Sequence, residues 1–300
     1  MLLTICLMLM SFSGLSSTDE WTKSYNVAAK PRVRVETSDA NIRVTTSEGE
    51  TVTARVTTVG WKIGGDGINI VEHQSGDQID IEIRFPHRVF QVNWGNHRVD
   101  IEITVPRHAG LDLHTGDGNV DVQGVSGAIV ARTGDGNLKL SELTGTLRAN
   151  TGDGNIDMRD VRGELNLHTG DGRIDATGID GSLRAETGDG RIRVNGRFDL
   201  LDVRTGDGGI DASANAGSKL DANWLLSTGD GDLTMRLQET ISADVELHTS
   251  DGHIDLNIPV TVLGRAGRQE IHGRINAGGK LLSLKTGDGS IRLEKLETAK

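Results

Sequence analysis

The chain has 300 residues, a formal net charge of −11 at pH 7, 40 glycines, four prolines and 3% aromatic residues. That charge excludes nucleic acid and anionic membrane surfaces as partners, because both attract basic faces. Many glycines with few prolines and aromatics point to tight turns around an aliphatic core, and no stretch carries the period of a long amphipathic helix.

Residues 1–17, MLLTICLMLMSFSGLSS, are uncharged and mostly apolar, and TDE follows. This predicts a secretory signal peptide over residues 1–16, cleaved near Ser16 behind Gly14 and Ser16, although no Lys or Arg precedes the apolar run. A buried core strand is the competing reading. The run is short for a membrane span, which needs about 20 residues. Cys6, the one cysteine, follows Ile5, where a lipoprotein cleavage site has a small residue. The exported chain then has no disulfide, thiolate or cysteine metal site. Export implies periplasm, cell surface or medium. Residues 17–30 read as a linker.

Residues 31–110 hold long alternating runs, TVTARVTTV, DQIDIEIRF and HRVDIEITV, with degenerate corners TSDA at 37–40 and GGDG at 64–67. They are expected to be N-terminal coils or hairpins that cap the rod. Residues 111–227 are regular. TGDG recurs with its threonine at Thr115, Thr133, Thr151, Thr169, Thr187 and Thr205, always 18 residues apart. A fixed period of this kind marks a stacked repeat. In rows of 18, Leu111, Ile129, Leu147, Leu165, Leu183 and Leu201 form one apolar column, and Val120, Leu138, Ile156, Ile174, Ile192 and Ile210 another. Polar residues alternate with them, which is the strand period with one face buried.

Each coil is therefore strand, TGDG corner, strand and a second corner such as GVSG, where Val125, Leu143, Val161 and Ile179 point inward. The expected fold is all-β: a parallel β-solenoid with about 18 residues and two short strands per coil. Positive φ is expected at Gly116 and Gly118 in the first corner and at Gly127, Gly145, Gly163 and Gly181 in the second. Beyond Thr228 the rhythm loosens, through TSDG at Thr249 to a last TGDG at Thr286. Residues 228–300 are expected to be irregular C-terminal coils and a closing cap.

TGDG is not a phosphate loop, since a strand and not a helix comes after it. It resembles a calcium-binding nonapeptide at a glance, but the aspartate after the glycines, such as Asp121, sits one place late. The aspartates inside the corners, Asp117, Asp135, Asp153, Asp171, Asp189 and Asp207, are read as formers of Asx-turns; weak calcium binding between stacked carboxylates is the alternative, and no other cofactor is expected. His114, His168 and His248 share an outward column, but coils separate them too far for one metal. Asp157 and Asp175 are stacked outward carboxylates without loops to wall a cleft, so no residue is expected to be catalytic. Trp61, Phe85, Phe90 and Trp94 gather toward the N-terminal end, either as a plug on the core or as a contact for a partner.

The TGDGNIDM-type repeats, the strand DIEITVP and the ending INAGGKLLSLKTGDGSIRLEK resemble the bacterial putative-adhesin domain family of β-solenoid proteins, over about residues 31–297. That family is related in style to the GIN head domain. The resemblance implies an adhesin-like surface protein and brings no catalytic residues. The combined expectation is an exported, non-enzymatic binding or surface scaffold with a glycan or surface protein as partner. The alternatives are a catalytic β-helix acting on an acidic polysaccharide and a structural, polymer-forming rod.

Overall fold

Alternation of apolar and polar residues produces strands throughout the computed structural model, which describes residues 18–28, 30–86, 97–263 and 267–297. The regular structure among them consists of 25 strands in one continuous sheet, with no helix. Residues 1–17, the expected signal peptide, lie outside the described residues.

Pairing follows the sequence period. Leu138 lies beside Val120 and Ile156, and Ile129 beside Leu111 and Leu147, each partner 18 residues away and parallel. Equivalent side chains thus stack at the inter-strand spacing of about 4.8 Å. The chain alternates between two runs of strands that face each other across the core. One contains Val120–Gln123, Leu138–Ser141 and Ile156–Arg159; the other contains Ser126–Arg132, Thr144–Thr151 and Arg162–Thr169. Both apolar columns read from the sequence are buried, as are Val125, Leu143, Val161 and Ile179 at the second corner. From Ile174 the second corner flattens: Ile174–Thr187 and Ile192–Thr205 are 14-residue strands that cross between the runs, with register irregularities at Thr177/Ile179 and Gly181/Ser182.

Residues 18–26, expected as linker, instead form the strand Thr18–Asn26, antiparallel to Thr51–Val59. The physical reason is a small alternation: Trp21 and Tyr25 pack toward the core while the residues between them face water. Thr51–Val59 in turn pairs antiparallel with Arg98–Pro106, and Asn69–Ser75 closes the other run antiparallel to Gln78–Arg84. At the far end Glu270–Ile275 lies antiparallel to both Ala243–Thr249 and Thr261–Val262.

Spatial order departs from chain order at the ends. The last coil, Leu281–Thr286 and Ile291–Lys295, is inserted between the coil of Trp224–Thr228 and that of Ala243–Thr249. The final TGDG is therefore penultimate in space, and the TSDG coil is outermost. The same interleaving occurs at the start, where Arg32–Thr37 sits between Gln78–Arg84 and Gly110–His114.

Candidate functional site: a polar groove along the stacked corners

The corner is built from its threonine. Thr133 Oγ1 donates to the Gly118 carbonyl of the preceding coil at 2.8 Å and accepts the N–H of its own Gly136 at 3.2 Å. Thr151 and Thr169 repeat both bonds. The threonine column is buried from Thr115 to Thr286, so its hydroxyls satisfy backbone groups that would otherwise be stranded at the corner.

The glycines serve close approach rather than backbone handedness. Gly116 and Gly118 do not adopt the expected positive φ. A Cβ on Gly118, Gly136 or Gly154 would lie 1.8–1.9 Å from the carbonyl oxygen of the coil before it. At the second corner Gly145, Gly163 and Gly181 have φ of 132°, 135° and 134°, while Gly127 does not join them. The tightest left-handed turn falls three residues earlier, at Gly124, Glu142, Asp160 and Gly178, with φ between 54° and 80°.

Asp117, Asp135, Asp153, Asp171, Asp189 and Asp207 stand in an exposed row. The backbone N–H groups of Asp117, Asp135, Asp153, Asp171 and Asp207 bond to the neighbouring coil, as Asp153 N does to the Gly134 carbonyl at 3.2 Å. Their carboxylates make no hydrogen bond among the described residues, so the expected Asx-turn is absent; the threonine hydroxyl takes that place. Among the described residues no group of three or more His, Cys, Asp or Glu could hold a metal ion. His114 and His168 are separated by the strands of Arg132 and Asn150.

Immediately after the corner the structure shows an amide ladder that the sequence reading missed. Asn119 donates its backbone N–H and its Nδ2 to Asn41 Oδ1, each at 3.1 Å. Asn137 does the same to Asn119, and Asn155 to Asn137, at 2.9–3.1 Å. Arg173 N–H ends the series on Asn155 Oδ1 at 3.0 Å. The carboxamide oxygens of Asn41, Asn119 and Asn137 thus take two donors each and that of Asn155 one, and each ladder amide of Asn119, Asn137 and Asn155 keeps one N–H proton for solvent or ligand. The signal was present: these asparagines share the column directly after TSDA and TGDG.

Beside the ladder runs a row of ion pairs. Arg43 lies 3.7 Å from Asp121, Arg98 lies 2.6 Å from Asp100, and Arg173 bridges Asp157 at 3.1 Å and Asp175 at 2.8 Å. Hydrogen bonds, that to Asp157 foremost, hold the Arg173 guanidinium further above its ordinary value. Ladder and ion pairs line an open groove of roughly 700 Å³ that reaches from the Thr57 and Arg98 strands to Arg173. Its basic groups (Arg43, Arg98, Lys139, Arg173) and acidic groups (Asp100, Glu102, Asp121, Asp157) are equal in number. Arg173 thus engages both stacked carboxylates, Asp157 and Asp175, by hydrogen bonds.

Trp61 and Phe85 are brought together, with ring centroids 6.2 Å apart edge to face, and Trp61 also stacks tilted on His97 at 4.9 Å. Both aromatic side chains are half-buried against the core, as a plug would be. Phe90 and Trp94 lie outside the described residues. No described helix is long and apolar enough to cross a membrane.

The Toastrack DUF4097 family model matches residues 31–294, and the chain belongs to that family. Solved structures that align with the chain include a "putative lipid binding protein" of Parabacteroides distasonis, at 13% identity and TM-score 0.44, covering 94% of this chain and 98% of that one. A "putative adhesin" of Bacteroides fragilis aligns at 13% identity and TM-score 0.34, covering 93% and 98%. A "putative cell adhesion protein" of Clostridium sporogenes aligns at 12% identity and TM-score 0.26, covering 93% and 100%. At those values the likenesses carry nothing about a ligand. No curated protein matches the chain.

Proposed function

We propose that this member of the Toastrack DUF4097 family is an exported, non-enzymatic, adhesin-like scaffold: a parallel β-solenoid that binds glycan or surface protein by rigid multivalent display. The observation that carries the reading is the groove. On three successive coils, at Asn119, Asn137 and Asn155, it offers one free amide proton beside charges of both signs, at a repeat of about 4.8 Å. Weak contacts repeated along a rigid face multiply into avidity without any single strong site. Equal numbers of cations and anions favour a neutral, hydroxyl-rich ligand over a polyanion. Catalysis is disfavoured because Asp157 and Asp175, the stacked acids, are both hydrogen-bonded to Arg173. Growth into a polymer is disfavoured because antiparallel strands close three of the four ends of the two runs among the described residues.

The test is a screen of residues 17–300 against glycans and extracellular-matrix proteins, with a reducing-end assay in parallel. Binding without release of reducing ends is expected, and Asn137→Ala together with Asn155→Ala should weaken it. Depolymerisation that Asp157→Asn or Asp175→Asn abolishes would replace this reading with the catalytic one.

A further inference from the structure

A second hollow lies on the other run of strands, away from the groove. Three outward positions share one row across neighbouring strands: Arg32, Gly110 and Ala128. Further along the same column the side chains are Thr146 and Glu164. Glycine and alanine in two consecutive coils therefore leave a depression of roughly 550 Å³, within the range of small-molecule sites. The Arg32 side chain reaches across it and lies 3.7–3.9 Å from where a Cβ on Gly110 would be. Two residues before Arg32 and Gly110 stand Lys30 and His108, which face the same hollow. Pro31, Ala128 and Val130 add carbon to its walls, and Ser126 and Asp112 are the other polar side chains that line it.

The charges here are unbalanced, unlike those of the groove. Neither Lys30 nor Arg32 has a carboxylate within ion-pair distance among the described residues. The one carboxylate that lines the hollow, Asp112, pairs with Arg132 at 3.2 Å, and Asp77, whose carbonyl accepts the Arg32 N–H, takes the Ala28 N–H on its carboxylate at 2.7 Å. Most other cations of this run have an acidic partner, as Arg162 has Asp180 and Arg184 has Glu164. Like charges on adjacent strands destabilise a sheet, so an unpaired basic cluster contributes nothing to the fold. It does create a local positive field in a chain of net charge −11.

We propose that this hollow binds a single carboxylated sugar, its carboxylate on Arg32 and Lys30, a hydroxyl on His108 and its ring carbons against Pro31 and Val130. An inorganic anion would use the cations but leave the carbon walls wet. A polyanionic chain would meet the negative field on either side, so the site selects an isolated or terminal acidic residue. The site is independent of the groove, and the two readings fail separately.

The experiment is calorimetric titration of residues 17–300 at low salt with a methyl glucuronide, a methyl neuraminide, methyl glucoside and inorganic phosphate. At least one acidic sugar should bind, and methyl glucoside should bind about tenfold more weakly or not at all, as loss of a charged hydrogen bond implies. Arg32→Gln should weaken the acidic sugar by a similar factor. Ala128→Glu, at an exposed position, keeps every cation but supplies an internal carboxylate, and should abolish binding without lowering the melting temperature. Phosphate binding as tightly as both sugars, absence of binding by either sugar, or an affinity unchanged by Arg32→Gln and Ala128→Glu would each overturn the proposal.

Discussion

At the scale of single residues the corner ranks its parts by what each touches. A Cβ on Gly154 would lie 1.8 Å from the Gly136 carbonyl, whereas one on Gly152 would lie 2.6 Å from that of Gly134. Gly154→Ala should therefore cost about 3 kcal/mol or more, and Gly152→Ala about 1–3 kcal/mol, as overpacking against backbone does. Urea unfolding measures both, and equal costs would show that close approach is not what the glycines serve. Thr151→Val should cost about 1–3 kcal/mol by stranding the Gly136 carbonyl and the Gly154 N–H, while Thr151→Ser keeps both bonds. Asp153 is different, being exposed and without a side-chain hydrogen bond. Stacked carboxylates about 4.8 Å apart repel by roughly 1 kcal/mol in water. Asp153→Asn should thus be neutral or mildly stabilising, and any gain should shrink in high salt. A large rise in melting temperature with millimolar calcium, reversed by chelator and blunted by Asp153→Asn, would show instead that the row binds cations.

At the scale of elements, the second corner carries an ion ladder across coils. Arg162 lies 2.8 Å from Asp180; Arg197 bonds both Asp180 and Asp199, the latter at 2.6 Å. Burial pulls the Asp180 carboxyl upward, but the two guanidiniums outweigh it and hold the group below its ordinary value of 3.8. A carboxylate lowered in the folded state stabilises fully above the unfolded value and loses that contribution as pH falls through the folded one. Glu246, held down by Lys285 at 2.8 Å, has the same sign. Asp180→Asn should lower the melting temperature at neutral pH and flatten its decline on acidification below about pH 4. Melting curves of variant and parent that fall in parallel with pH would refute this assignment. The buried columns of these elements were legible from alternation and the 18-residue period alone, because both are local properties of the chain. Threonine burial, the asparagine ladder and the strict glycines were not read, because each depends on a group one coil away. The strand Thr18–Asn26 was missed because its alternation is carried by Trp21 and Tyr25 alone.

At the scale of the molecule, regular coils and interleaved ends should respond differently to deletion. Within the regular part every coil meets the next through identical columns, so excising residues 133–150 joins Arg132 to Thr151 and leaves corner following strand. The strand Ser126–Arg132 would then pair with Arg162–Thr169, as it now pairs with Thr144–Thr151. Stability in a stacked array is close to a sum over coils and their interfaces, so a folded rod, one coil shorter and slightly less stable, is expected. Excising residues 133–141 instead joins Arg132 to Glu142 and Leu143 of the second corner; later strands then fall on the opposite run and second corners meet TGDG corners, so the threonine and glycine contacts between coils are lost, and it should not fold. The C-terminal end has no such freedom, and chain order did not reveal why. The coil after Leu281 is held on one side by Trp224–Thr228 and on the other by Ala243–Thr249. Ending the chain at Lys280 would open a slot inside the array, with Thr249 Oγ1 losing the Gly289 carbonyl it meets at 2.8 Å. This truncation, close in length to the 18-residue excision, should cost far more stability and expose apolar surface to dye. Circular dichroism and melting of the three variants decide the matter: equal tolerance of the excisions of 133–150 and 133–141 would refute the stacked register, and a cooperative, parent-like melt of the truncated chain would refute the inserted coil.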